Sequence, residues 1–367
     1  MRAWIRRAAA LAVLTFSWSG ARAEEARPSA VENVFVVTMD GLRWQEVFAG
    51  FDAAINSKED GGVGDPTALA RRFDRPTPEA RREVLLPFLW NVVAREGQVL
   101  GDPSKGSQVR VTNGLWFSYP GYNEMLSGAA DQRIDSNDKK ANPNLTVLEW
   151  LNRQPGFKGR VAAFGSWDVL PWIVAEERSG LHVNGDGPAV KDPATDRDRL
   201  LNAFTADLPT YWRSTRFDAP TMQGALEHLR ARKPRVLYVM LGETDEWAHG
   251  RRYDQYLDAA WRSDRFLKHL WEAAQANPDY RGKTALLVTT DHGRGGTPRD
   301  WPNHGKEVPA AERIWMAILG PTTPALGVRA GTAATQSQLA ASIAALLSLD
   351  FRRAAPHAAP PLPDLSR

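Results

Sequence analysis

Residues 236–250 read VLYVMLGETDEWAHG: six apolar residues in a row, then at once a glycine, three acids and a histidine. A strand with one wet face alternates apolar and polar residues, so an unbroken run belongs to a parallel strand covered on both sides. The abrupt change after Leu241 places the end of that strand at a loop rich in chemistry. The pattern recurs: Val34–Met39 runs into Asp40-Gly41, and Ala285–Thr290 runs into Asp291-His292-Gly293. A fourth run, Ile314–Leu319, follows Asn303-His304-Gly305, and a weaker fifth spans Val161–Phe164.

Helical periods fall between these runs. In Tyr253–Ala274, residues Tyr253, Leu257, Ala260, Trp261, Leu267, Leu270 and Trp271 share one face. Further helices are expected over Arg82–Arg95, Leu145–Asn152, Thr221–Ala231 and Gln336–Leu347. Strands alternating with helices predict an α/β fold with a mostly parallel central sheet flanked by helices. Residues 165–220, rich in Trp, Asp, Gly and Pro without a clean period, read as a small inserted cap region. Trp167 and Trp172 there could stack a leaving group, although tryptophans in such folds more often pack the core. The tail 354–367, AAPHAAPPLPDLSR, reads as disordered.

At 367 residues, 43% hydrophobic and 24% charged, the chain can bury one large domain, here 24–353. Arg2, Arg6 and Arg7 precede an apolar run that closes on Ala21-Arg22-Ala23, the pattern of a secretory leader removed after residue 23. The expected location is therefore periplasmic or secreted, with no membrane span left after cleavage. Losing that leader removes four arginines and no acid, taking the formal net charge from +3 to −1. A near-neutral mature chain carries no electrostatic footprint for nucleic acid. With no cysteine, disulfides and thiolate metal sites are excluded.

In a parallel sheet, functional groups collect beyond the carboxyl ends of the strands. Of seven histidines, His249, His292 and His304 all sit beside glycine in such loops, together with Asp40, Asp245 and Asp291. Carboxylates mixed with imidazoles suit zinc, or less often manganese. Asp245 and His249, four apart, can share one side of a helical turn, whereas adjacent Asp291 and His292 need a bend to face one ion.

The succession Asp40-Gly41, a hydroxyl residue before an aromatic-proline pair, Asp245 and His249, Asp291-His292-Gly293 and His304-Gly305 resembles the alkaline phosphatase superfamily. It looks closest to the nucleotide pyrophosphatase/phosphodiesterase branch. The resemblance implies two divalent ions about 4 Å apart, most often zinc. One would be held by Asp245, His249 and His304, the other by Asp40, Asp291 and His292 with the Ser118 oxygen. It implies Ser118 as nucleophile, in LWFSYPGYNEMLSG (115–128), with Thr112 as a competing hydroxyl. The implied substrate is a small phosphate ester, diester or monoester, cleaved through a phosphoserine.

Where the branch has Asn-His after the proline, this chain has Gly121-Tyr122 and then Asn123, so Tyr122 and Asn123, with Asn137, become the expected substrate contacts. A sulfatase of the formylglycine type needs an arginine two residues after the proline, and Tyr122 occupies that position. The same residues would also serve a phosphotransferase or mutase of this superfamily, or a metal-binding protein without turnover. Arg43, Arg294 and Lys306 lie near the motifs without any being diagnostic of monoester chemistry.

Overall fold

A computed structural model describes residues 31–185 and 187–365; the expected leader at 1–23 lies outside the described residues. The strands are β1 (Asn33–Met39), β2 (Gln98–Leu100), β3 (Gln108–Arg110), β4 (Val161–Gly165), β5 (His182–Asn184), β6 (Val236–Leu241), β7 (Thr284–Thr289), β8 (Arg313–Ile314), β9 (Met316–Leu319), β10 (Gly327–Val328) and β11 (Ala333–Thr335). The main sheet runs β10-β2-β9-β7-β1-β6-β4-β5, and a small one runs β11-β3-β8. β1 lies at the centre, parallel to both β6 and β7, with Val34 opposite Val236 on one side and Ala285 on the other.

Successive β1 side chains enter two separate cores. Phe35, Val37 and Met39 join Leu226, Leu257 and Leu267 from the helices Asp218–Arg232 and Tyr253–Ala276. Val34 and Val36 join Tyr122, Met125, Leu148 and Ile343 from Ser118–Ser127, Val147–Asn152 and Gln338–Leu346. This is why the central strands carry no polar alternation. Each fully buried side chain of this kind contributes about 1.5–3 kcal/mol, set against the entropy of ordering the chain.

Three expectations are corrected. Ile314–Leu319 is not one parallel strand: Ile314 belongs to the small sheet, and Met316–Leu319 pairs antiparallel with β7. No helical crossover separates β7 from β9, so the chain comes back alongside in the opposite sense. Between the two pieces Trp315 is buried, its Nε1 donating to Leu42 O at 3.0 Å while Thr289 Oγ1 donates to Trp315 O at 2.6 Å. The helix expected over Arg82–Arg95 ends at Leu85, because Pro87 supplies no backbone donor, and resumes as a π-helical turn at Leu89–Val93. The freed Phe88 and Leu89 N–H groups donate to the buried Asp264 carboxylate at 2.7 and 2.8 Å.

The tail is not disordered over its described part. Ala355, Ala358, Leu362 and Leu365 are buried in the second core, and Leu362 N donates to Ser342 Oγ at 2.9 Å. Its alanine-proline composition conceals two leucines spaced to reach the same groove. Residues 165–220 add the edge strand β5 beside β4, then return past the sheet end, where Trp167 forms an antiparallel bridge with Thr215.

Candidate active site

The loops beyond β1, β6 and β7 converge, because these three strands are neighbours and point the same way. Asp40 follows β1 directly, and Gly41 then turns the chain in the left-handed region at φ +59°. A side chain on Gly41 would strike Arg294 and Asp245, so glycine alone permits this approach. Asp245 and His249 lie on the short helix Glu243–His249, with His249 Nε2 3.2 Å from Asp245 Oδ2, as the four-residue spacing predicts. Beyond β7, Thr290 Oγ1 donates to His292 O at 3.0 Å, and Gln336 Nε2 donates to the Thr290 and Asp291 carbonyls at 3.1 and 2.8 Å. These contacts make the bend that turns Asp291 and His292 inward together.

Asp40, Asp291 and His292 place ligand atoms within 4.8 Å of one another, and so do Asp245, His292 and His304. His292 Nε2 is the hinge between the two groups, 3.3 Å from Asp40 Oδ1, 3.5 Å from Asp291 Oδ2 and 3.7 Å from Asp245 Oδ1. His249 Nε2 completes the second group 3.0 Å from His304 Nε2. The imidazole orientations are set from behind: His292 Nδ1 donates to Gly293 O at 2.9 Å and His304 Nδ1 donates to Trp116 O at 3.3 Å. Each therefore turns an Nε2 lone pair toward the centre, the orientation that a metal-ligating histidine needs.

The electrostatics call for a cation. Asp40 Oδ1 and Asp291 Oδ2 are buried without a hydrogen-bond partner, which a native interior seldom tolerates. Burial and the Asp40 charge push Asp291 up to about 8. For His292, burial disfavours the charge, but Asp291 and Asp40 outweigh it and push the ring up to about 9. Burial lowers His304, and His292, Arg294 and His249 lower it further. Two crowded carboxylates and imidazoles whose Nε2 atoms face inward fit a pair of divalent ions.

Ser118 opens the fully buried helix Ser118–Ser127, with Phe117 extended before it. Its Oγ lies 3.4 Å from His292 Nε2, at the positive end of the helix. Thr112 does not compete, since its hydroxyl donates to Glu124 at 2.7 Å. A cavity of about 600 Å³ opens above, its wall including Asp40, Ser118, Asp245, His249 and His304. Asn137 reaches this wall, its Oδ1 accepting from Tyr119 N at 3.0 Å.

Tyr122 and Asn123 do not face the cavity. Both are fully buried: Tyr122 Oη donates to Asp40 Oδ2 at 2.9 Å, and Asn123 Oδ1 accepts from Asn142 and Asn144 at 3.2 and 2.9 Å. Their closeness to Ser118 in sequence makes them look like substrate contacts, but the helix turns them into the core. Gly121 has its reason here too, since a Cβ would sit 2.4 Å from Asp291 O. Gly121→Ala is expected to cost about 1–3 kcal/mol through overpacking, read as a lower Tm, and to displace Ser118 from His292.

Lys139, Asp168, Arg213 and Glu246 also line the cavity, and no motif in the sequence marks them. Lys139 Nζ pairs with Asp168 at 2.7 Å. Arg294, undecided from sequence, is fully buried with Nη2 against Asp245 Oδ1. Its place immediately after Asp291-His292-Gly293 is the one signal that could have found it.

A family model described as type I phosphodiesterase / nucleotide pyrophosphatase matches residues 96–331. No curated protein matches. Among solved structures, murine ectonucleotide pyrophosphatase / phosphodiesterase 5, an inactive variant in complex with AMP, is similar at 13% identity and TM-score 0.51, over 90% of this chain and 97% of that one. Ps i-CgsB in complex with k-i-k-neocarrahexaose is similar at 14% identity and TM-score 0.53, over 90% and 75%. The lipoteichoic acid synthase LtaP from Listeria monocytogenes is similar at 10% identity and TM-score 0.52, over 88% and 73%. At these identities the likeness is one of fold.

Proposed function

The chain belongs to the type I phosphodiesterase / nucleotide pyrophosphatase family, and from that premise we propose that it hydrolyses phosphodiesters through a covalent phosphoserine on Ser118. The observation that carries this reading is the position of Ser118 Oγ, at a helix start and 3.4 Å from His292 Nε2, beside the unpartnered oxygens of Asp40 and Asp291.

Two divalent ions, zinc first and manganese second, would be held by Asp40, Asp291, His292 and Ser118 and by Asp245, His249 and His304. When bound, they supply the Lewis acidity that makes a hydroxyl nucleophilic at neutral pH and offsets charge on the phosphoryl oxygens. Ser118 Oγ attacks phosphorus and loses its proton to solvent, the ester oxygen opposite departs and takes a proton from solvent as an alcohol, and water then cleaves the phosphoserine to release phosphate monoester and restore the serine hydroxyl. The helix start adds a fixed positive field to the charge developing at Oγ. A metal-free serine-histidine-aspartate triad is disfavoured: His292 Nδ1 donates to the Gly293 carbonyl and not to a carboxylate, and no Gly-x-Ser-x-Gly elbow surrounds Ser118. In this reading the departing group lies on the side of Asp245, His249 and His304, and Asn137, also on the cavity wall, meets a phosphoryl oxygen. The leader read at 1–23 supports export to the periplasm or medium.

Phosphate is favoured over sulfate because Ser118-Tyr119-Pro120-Gly121-Tyr122 lacks the arginine that formylglycine formation requires. The purified protein with added zinc is expected to cleave bis(p-nitrophenyl) phosphate at least about 100-fold faster, by kcat/KM, than p-nitrophenyl sulfate. Faster sulfate cleavage would overturn the reading.

A further inference from the structure

The two ligand groups differ in how much charge is left for an ion. In the first, Asp40 and Asp291 each engage one oxygen with a neutral donor, Tyr122 Oη at 2.9 Å and Gly41 N at 3.1 Å. Their other oxygens, Asp40 Oδ1 and Asp291 Oδ2, have no hydrogen bond at all. An ion there meets two carboxylates, neither of which is in contact with an arginine or lysine side chain among the described residues.

The second group has a single carboxylate, Asp245, and a resident cation is already on it. Arg294 Nη2 contacts Asp245 Oδ1 and, at 3.3 Å, the Asp245 carbonyl. The guanidinium is held there from the other side, Nε donating to Gly41 O at 3.1 Å and Nη1 to Pro302 O. It has no freedom to withdraw, since it is fully buried and wedged against Gly41, whose missing Cβ makes room for it. The remaining ligands, His249 and His304, are neutral imidazoles.

We propose that Arg294 makes the two metal sites unequal, so that the Asp40–Asp291–His292 ion is retained while the Asp245–His249–His304 ion exchanges with the surroundings. This rests on the two-metal reading above. The guanidinium offsets the one carboxylate of the second group and repels that ion directly, while Asp245 stays in place between occupancies because Arg294 holds it. The chain would then respond to the free divalent metal around it without unfolding when one ion leaves.

Zinc titration of the metal-stripped full-length protein against a chromophoric chelator tests this. Wild type is expected to show two binding steps, the second at least about tenfold weaker than the first. Arg294→Met is expected to strengthen the second step and narrow that gap, whereas Arg294→Lys, which keeps the charge, preserves it. Because the methionine variant leaves Asp245 without its partner and its folding is at risk, His249→Ala supplies an independent arm: it should remove the weaker step and leave the tighter one. Two equal steps in wild type, an unchanged or weaker second step in a folded Arg294→Met protein, or loss of the tighter step in His249→Ala would each overturn the inference. Absence of both steps in wild type would instead remove the two-metal reading on which it stands.

Discussion

Ser118→Ala is expected to lower kcat/KM on bis(p-nitrophenyl) phosphate by about 10³-fold or more while the protein keeps its fold and its zinc. The loss is large because the competing hydroxyl in the same loop, Thr112, is engaged by Glu124. The fold should survive, since alanine suits the first turn of a helix and the Ser118 hydroxyl forms one hydrogen bond among the described residues, with His292. Steady-state kinetics paired with metal analysis decides the matter. A variant that turns over at the wild-type rate with metal bound would mean that water, not Ser118, attacks phosphorus.

The second large effect is expected from Asp291→Asn. Zinc should fall by about one equivalent per chain and hydrolysis by about 10³-fold, because the change removes one of the two carboxylates of the buried group. A separate signature appears without metal. Burial and Asp40 push Asp291 up to about 8, far above an unfolded aspartate. Its folded form thus holds a proton that the unfolded chain has released, and this contribution to stability is full near pH 4 and is lost as pH rises toward 8. Asparagine cannot lose that proton. The metal-free variant should therefore melt above the metal-free wild type at pH 8, with the advantage shrinking toward pH 4. Parallel Tm profiles for the two proteins would show that Asp291 is not under this strain.

The sheet is legible in the sequence because its central strands are buried on both faces and so carry unbroken apolar runs, as in Val236–Leu241. Strand direction is not, because it depends on the connection: nothing in Met316–Leu319 itself distinguishes a parallel strand from the antiparallel one it forms. The ligand-type residues stand out because they are few and sit where strands end. The side chains around Ser118 mislead for a different reason. All ten residues of Ser118–Ser127 are buried, so the helix has no polar face to reveal how it is rotated, and Tyr122 turns out to brace Asp40 from within. Arg294 escapes because an arginine is ordinarily solvated, and its burial depends on Gly41, some 250 residues earlier in the chain, leaving the gap it fills.

The central place of β1 also constrains the order in which the molecule can be made. Asp40 sits at the end of a strand whose two neighbours, β6 and β7, begin at residues 236 and 284. A nascent chain shorter than that carries β1 with neither edge paired, and pairing across such separations is slow, since the loop entropy is spent before the contacts form. The centre therefore cannot assemble piecewise as the chain emerges: its first ligand waits for its last, and competence arrives in one late step with closure of the sheet.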